Sequence, residues 1–394
     1  MNILVCNAGS TSLKFQLLSM PEEKLLARGA MERVGNPAGG RFRYWGRENI
    51  DEKAVVPDYE AGIRMFLTYL CGEKTGVIGG VEEIAAVGFK TVLSKGHYGV
   101  HFADEAVIEG MKEMLTVAPA HNRAYLMALE TVHKVLPEVP RVCVFETAFH
   151  QTMPPEAYIY SAPYEWYEKY GVRRFGYHGA SHAYVADCLT ERLGEHYRAV
   201  SCHLGGSCSL CAIVDGKSVD TSFGMSLQCG LPQSNRSGDM DPFILNYMAR
   251  ETGKTVEELS AELGTKGGLL GVSGVSGDLR DVEEAAKAGN ERAALAVKIF
   301  CRELVRYIGG YAAMLGGLDA VAFTGGIGEN SRTVRRYVAE HLRFMGVGDI
   351  SDENGEGIRE ITGEDTKVKL FVIPANEELG VARKTYKRLT EERK

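Results

Sequence analysis

The sequence predicts an α/β protein of two lobes built on one duplicated plan, and three observations carry that prediction. Ile3–Cys6 and Leu13–Leu18 are apolar runs joined by Asn7-Ala8-Gly9-Ser10-Thr11-Ser12, a strand–turn–strand unit rich in glycine and hydroxyls. About half a chain later the unit returns: Ala199–Cys202 leads into His203-Leu204-Gly205-Gly206-Ser207, and Leu210–Val214 is the second strand. The turns after Cys6 and Cys202 occupy like places, the second one residue longer, which is how a duplicated supersecondary unit reads. Buried-strand runs then alternate with helical patterns along 394 residues, a length for which two domains are natural. Each lobe is expected to bring one phosphate-facing loop to a shared cleft.

Bulk properties narrow the function classes. With 45% hydrophobic and 25% charged residues the chain is an ordinary globular protein. A net charge of −7 argues against a general nucleic-acid binder but leaves room for a local basic pocket for a small anion. Met1-Asn2-Ile3-Leu4-Val5-Cys6 enters a strand directly, without the basic lead of a signal peptide, and no apolar run is long enough to cross a bilayer. The nine cysteines are scattered, which suits a reducing cytoplasm. Cys208 and Cys211 have the spacing of a redox or zinc pair. On a strand, residues three apart face opposite sides, so they are expected to be buried small hydrophobes.

The remaining elements follow in order. Leu25–Ala30 continues the first sheet, and Arg33–Pro57 is polar and glycine-rich, read as meander and loop. Tyr59–Cys71 is a helix with Ile63, Phe66, Leu67 and Leu70 on one face. Ile84–Val92 is a buried strand interrupted by Lys90, which needs a partner or a substrate anion. Asp104–Leu115 is an amphipathic helix, and the helix after Ala118-Pro119-Ala120-His121-Asn122 stops at Leu136, before Pro137. Val142–Phe145 is a strand, and Glu146 stands at its C-terminal end, where α/β proteins bind ligands. Thr147–Pro155 is the expected crossing between halves. A helix from about Ser181 to Leu193, capped near Ala180-Ser181, would leave His178 just before its cap. His178 and His182 have a zinc-binding spacing, although Gly179 lies between them and a third ligand is not evident.

Pro242–Glu251 and Val256–Leu263 are helices, and Gly267–Asp278 is read as a surface or hinge loop. Asn290–Leu315 is the longest helix, and its stripe Val297, Cys301, Leu304, Ile308, Tyr311 is core or dimer seam. Ala320–Phe323 is a buried strand followed by Thr324-Gly325-Gly326-Ile327-Gly328-Glu329-Asn330-Ser331 and a helix, an arrangement nucleotide sites use. Val368–Ile373 is the last strand, and Pro374-Ala375-Asn376-Glu377-Glu378 opens a final helix to Lys394. Glu377 could hold Mg²⁺ beside phosphates, or as a first-turn acid simply favour the helix dipole. Arg236, in Asn235-Arg236-Ser237-Gly238-Asp239, puts a guanidinium beside a turn. A backbone nest at Gly205–Ser207 with a fixed cation nearby suggests phosphoryl transfer; a plain hairpin with a surface arginine is the bland alternative.

Taken together, the stretches NAGSTSLKFQL from Asn7, FETAFHQTMP from Phe145, FGYHGASHAYV from Phe175, HLGGSCSL from His203, GKSVDTSFG from Gly216, RSGDMDP from Arg236, TGGIGENS from Thr324 and PANEELGVARKT from Pro374 resemble the acetate kinase family, in family order over nearly the whole length. That family belongs to the sugar kinase, heat-shock chaperone and actin superfamily. The resemblance implies two ribonuclease H-like (actin-type) βββαβαβα domains with an interdomain cleft: residues 1–150, then 151–377 carrying the nucleotide, with a C-terminal helix of about 378–394 packed on the first. It implies a homodimer in the cytoplasm and reversible transfer of the γ-phosphoryl of ATP to a small carboxylic acid, with Mg²⁺. By position, His178, Arg236, Lys90 and Glu146 are catalytic. Lys90, Val92, Ala120, His121, Tyr177 and Leu227 meet the acid. Asn7, Lys14, His203, Gly205, Gly206, Ser207, Gly325, Gly326, Ile327, Gly328 and Asn330 hold ATP or ADP, and Asn7 and Glu377 serve the metal.

The departures from the family pattern are also informative. Lys90 stands for an arginine and loses the two-pronged grip on carboxylate. Glu146 stands for an aspartate, Gly206 for an asparagine and Ser207 for a glycine. In the acyl pocket Ala120 replaces a leucine, Tyr177 a phenylalanine and Leu227 a proline. A lost leucine opens space, and a tyrosine hydroxyl wants a partner, so a larger or hydroxylated short acid is expected. A nucleotide-binding regulator on the same fold is the competing reading, and pyrophosphate the competing donor.

Overall fold

The computed structural model describes residues 1–9, 11–351 and 353–391, with the backbone but not the side chain of Ala120. The chain divides into two compact units, Met1–Gln151 with Asn376–Lys394, and Thr152–Ala375.

The first unit is built on an eight-stranded sheet, β1 (Asn2–Gly9), β2 (Ser12–Ser19), β3 (Lys24–Glu32), β4 (Gly40–Trp45), β5 (Ile50–Ala54), β6 (Ile84–Thr91), β7 (Val100–Phe102) and β8 (Arg141–Phe145), in the order β5-β4-β3-β2-β1-β6-β8-β7. The stretch read as meander and loop from Arg33 contains two strands. Its alternation is short and polar on one side, so a hydropathy reading undercounts it: β5 has no buried residue. β1 pairs antiparallel with β2 and parallel with β6, and β6 is parallel to β8. The parallel strands are covered on both faces, which explains their near-continuous apolar runs. Ile3, Val5, Ala86, Val142 and Val144 pack against Val381, Ala382 and Leu389 of the helix Glu377–Glu391. The helix Pro119–Val135 also packs on β1 and β6.

The second unit has six strands, β9 (Arg198–Leu204), β10 (Cys208–Val214), β11 (Lys217–Thr221), β12 (Ala320–Thr324), β13 (Arg359–Glu360) and β14 (Lys369–Val372), ordered β11-β10-β9-β12-β14-β13. β9, β10 and β11 are antiparallel, and β9, β12 and β14 are parallel. The five strands β3-β2-β1-β6-β8 and the five strands β11-β10-β9-β12-β14 therefore share one order and one pattern of directions. The duplication expected from two short turns is present in the full topology. The core stripe of the helix Glu291–Met314 puts Phe300, Cys301, Leu304 and Ile308 against this sheet, so it is core rather than a dimer seam. Cys208 and Cys211 are both fully buried free thiols on β10. No described helix is long and apolar enough to cross a membrane.

Candidate functional site

In the first unit the parallel strands end along one edge, and the polar residues singled out from the sequence gather there. Lys90 is the penultimate residue of β6, Glu146 directly follows β8, and Glu377 opens the last helix. The Lys90 ammonium lies 2.5 Å from Glu377 Oε2 and 3.4 Å from Glu146 Oε1. The lysine that interrupts an apolar run thus has carboxylate partners. Burial alone would lower its pKa, but the two acids outweigh burial and hold it protonated. Burial pushes the Glu146 carboxyl up, against the pull of Lys90 and with help from the like charge of Glu377. Glu146 is 4% exposed, and neither of its oxygens accepts a hydrogen bond. Asn7, near the end of β1, accepts from the Tyr125 hydroxyl at 3.0 Å. Lys14 is exposed and sits across from Asn7 in the β1–β2 register. Val92 is buried and His121 is half-buried in the first turn of its helix. The side chain of Ala120 lies outside the described residues.

In the second unit a histidine–serine network joins β9 and β10 to the helix Gly179–Leu193. Ser201 and His203 share one face of β9, and Ser209 is the register partner of His203 on β10. Ser209 Oγ lies 2.9 Å from His178 Nδ1 and 2.8 Å from His182 Nε2. His182 Nδ1 is 2.8 Å from Ser201 Oγ, and His203 Nδ1 is 2.8 Å from Ser181 Oγ. The rings of His178 and His203 lie 4.1 Å apart. His182, fully buried, spends both ring nitrogens on serines, which removes the zinc alternative for the His178/His182 pair. The expected cap at Ala180-Ser181 is also corrected. The helix starts at Gly179, and His178 itself is the cap residue, in the left-handed conformation at φ 57°. A non-glycine residue there costs about 1–3 kcal/mol and persists only when its surroundings hold it, as Ser209 and His203 do. Sequence reading missed Ser201 and Ser209; the period-two spacing of Ser201 and His203 was the available signal.

Arg236 is half-buried, and its Nη1 donates to Ser207 Oγ at 3.2 Å and to Gln233 Oε1 at 3.1 Å. Burial pulls its pKa below the ordinary arginine value, not far enough to discharge it. Among the described residues no carboxylate pairs with it.

A cavity of about 690 Å³ opens beside Gly205, Gly206, Ser234, Gly326, Ile327 and Asn330. Gly325 is buried behind it at φ +77°, where a Cβ would meet the Leu204 carbonyl at 2.7 Å, so only glycine fits. The glycine run read as a turn is a short helix, Gly325–Asn330, with Gly328 buried in it. Gly277, Asp278, Leu279, Arg280 and Glu283 line it as well. The Gly267–Asp278 segment is therefore not merely surface or hinge: it contains the helix Gly268–Ser273, and its end borders the cavity. Asp278 caps the next helix and pairs with Arg280, whose hydrogen bond brings the Asp278 carboxyl down to about 2.

Tyr177 is 1% exposed, and its hydroxyl donates to the Met225 carbonyl at 2.5 Å. Its hydroxyl proton is thus engaged within the unit. Leu227 is half-buried, and its carbonyl accepts from Gln233 Nε2 at 2.8 Å.

Against known proteins, the profile described as the Acetokinase family matches residues 2–383. An acetate kinase of Shouchella clausii is 44% identical over 97% of this chain and 98% of its own length. One from Halothermothrix orenii is 45% identical over 98% of both chains. Among solved structures, an acetate kinase of Porphyromonas gingivalis superposes with a TM-score of 0.89 at 38% identity, covering 98% of this chain and 99% of that one. A propionate kinase of Francisella tularensis gives 0.89 at 33% identity, covering 97% and 98%.

Proposed function

The chain belongs to the acetokinase family, and from that premise we propose that it transfers the γ-phosphoryl group of ATP reversibly to the carboxylate of a short-chain acid. Relatives bear the names acetate kinase and propionate kinase, and the first acids to consider are those two. Nothing in the comparisons favours a nucleotide-binding regulator.

The chemistry needs no strong base, because a carboxylate is already an anion at neutral pH. The barrier lies in bringing it to a polyanion, which calls for positioning and a placed positive charge. The observation that carries the reading is Arg236, a guanidinium held beside the Gly205–Ser207 loop by neutral partners. Its N–H groups meet the equatorial oxygens of the phosphoryl in transit. His178, its ring held by Ser209, donates to the same group. In the second unit His203, Gly205 and Gly206 are assigned to phosphates, as Asn7 and Lys14 are in the first, and the cavity lined by Gly326, Ile327 and Asn330 has the volume to take adenosine, which favours ATP over pyrophosphate. Ser207 acts through Arg236. In the first unit Val92 and His121, and in the second Tyr177 and Leu227, are the residues assigned to the acyl chain. Ala120, where the family has a leucine, allows a longer one.

Mg²⁺ fits the first unit. It commonly takes one or two carboxylates and fills its remaining sites with water and phosphate oxygens. Glu377 and Glu146 already converge on a cation, Lys90, and the Glu146 oxygens lack hydrogen bonds. Glu377, with Asn7, would hold the ion. When bound it would neutralise phosphate charge. Lys90 keeps the acid pair together and, lacking the fork of an arginine, is a weaker grip on the substrate. A homodimer is part of the reading: the helix Phe243–Thr252 buries none of its residues, and Phe243 and Tyr247 are 74% and 62% exposed. A second copy would cover them.

The test is hydroxamate trapping of acyl phosphate with ATP and a panel of acids from acetate upward. Turnover of acetate or a slightly longer acid is expected. No acyl phosphate from any acid, with ATP still bound, would contradict the proposal.

A further inference from the structure

Gln233 lies outside every motif that carries the family resemblance, yet it is fully buried and each polar atom of its side chain is used. Its Oε1 accepts from Ser207 Oγ at 2.8 Å and from Arg236 Nη1 at 3.1 Å. Its Nε2 donates to the Leu227 carbonyl at 2.8 Å. That carbonyl can only accept, which fixes which way the amide points. The backbone is held as firmly. The Gln233 N–H donates to the Arg236 carbonyl at 3.0 Å, and its own carbonyl accepts from the Leu269 N–H at 2.8 Å. Gly268, at φ +59°, lets that carbonyl approach: a Cβ there would lie 2.1 Å from it. Ser207 closes a ring of hydrogen bonds, donating to Gln233 while accepting from Arg236.

We infer that Gln233 and Ser207 are positioning residues that aim the Arg236 guanidinium at the phosphoryl group while leaving its charge uncancelled. This rests on the reading of Arg236 as the cation that meets that group. The physical point is the neutrality of the clamp. A carboxylate in the place of Gln233 would orient the guanidinium as well and would neutralise it. An amide and a hydroxyl fix direction alone. The clamp also ties the Arg236 cation to the main chain at Leu227, a residue of the expected acyl wall, so the same amide registers both.

The test is a double-mutant cycle measuring kcat, KM for ATP and for the acid, and thermal unfolding. Gln233→Met keeps the length and removes the hydrogen bonds; it is expected to lower kcat by about 10- to 100-fold, with both KM values within about threefold of wild type. Ser207→Ala removes one hydroxyl and is expected to lower kcat by about three- to tenfold, and it decides the matter if Gln233→Met does not fold. In an Arg236→Ala background both losses are expected to shrink to about twofold or less, which a merely structural role would not produce. Gln233→Glu is expected to lower kcat although it keeps both acceptor contacts; a wild-type kcat for it would overturn the inference. Losses of equal size with and without Arg236 would overturn it too. A large loss for Arg236→Ala with none for Ser207→Ala or Gln233→Met overturns only the clamp. A wild-type kcat for Arg236→Ala overturns the reading of Arg236, and the clamp with it.

Discussion

Lys90 in the first unit and Arg236 in the second are both largely withdrawn from solvent, and the protein treats them in opposite ways. Lys90 is bracketed by two carboxylates, Glu146 and Glu377, so its charge is compensated from within. Arg236 is held by a serine hydroxyl and a glutamine amide, so its charge is oriented but not cancelled. A compensated cation holds its acids together, and removing it strands them. An uncompensated one costs desolvation and is retained for an anion that arrives from outside. Arg280 gives a third case. It pairs with Asp278, but its side chain is 87% exposed and water does most of the screening.

The contrast makes graded predictions. Lys90→Met should be the most destabilising of the three, by about 3–5 kcal/mol, since two buried carboxylates are left facing each other. Denaturant unfolding measures this, and a loss below about 1 kcal/mol would mean that Lys90 is not the keystone of the acid pair. Arg236→Met should lose about 2 kcal/mol, the value of hydrogen bonds from a charged donor to neutral acceptors, although its effect on turnover is the larger one. Equal losses for Lys90→Met and Arg236→Met would break the comparison. His178 offers a check on stored strain. His178→Gly and His178→Ala both lose the ring, but the glycine variant should be more stable by about 1 kcal/mol, because only glycine sits easily at positive φ.

The exposed pair should have the smallest effect. Arg280→Ala should cost under about 1 kcal/mol, and Asp278→Ala about 1 kcal/mol, chiefly through the lost helix cap. The pH dependence has a definite sign. Asp278 has its carboxyl lowered to about 2 in the folded chain from 3.8. Its contribution is present above 3.8 and fades as pH falls toward 2. Unfolding followed across that window should show a slope that Asp278→Ala removes.

Much of this was legible in the sequence, for reasons that individual residues make plain. The duplicated turns after Cys6 and Cys202 announced a plan that the five-strand order of each sheet repeats. Lys90 in an apolar run announced a partner, because a lysine cannot be buried alone. What escaped reading depended on contacts distant in the chain or on polar residues with no periodic signature. Ser209 carries no signal of its own, and its register with His203 brings it to two imidazoles. Gln233 carried no motif and is defined by what Ser207, Arg236 and Leu227 present to it. The bounds of the strands Gly40–Trp45 and Ile50–Ala54, inside the stretch read as meander and loop, were hidden by polar, glycine-rich composition. Nor does the sequence show that the Tyr177 hydroxyl donates to the Met225 carbonyl, 48 residues away in the chain.

The most direct measurement is the kcat of acyl-phosphate formation for Arg236→Ala, with ATP-induced thermal stabilisation recorded on the same preparation. The account predicts a fall of about 10³-fold or more, with stabilisation by ATP preserved. A kcat within about threefold of wild type would contradict it.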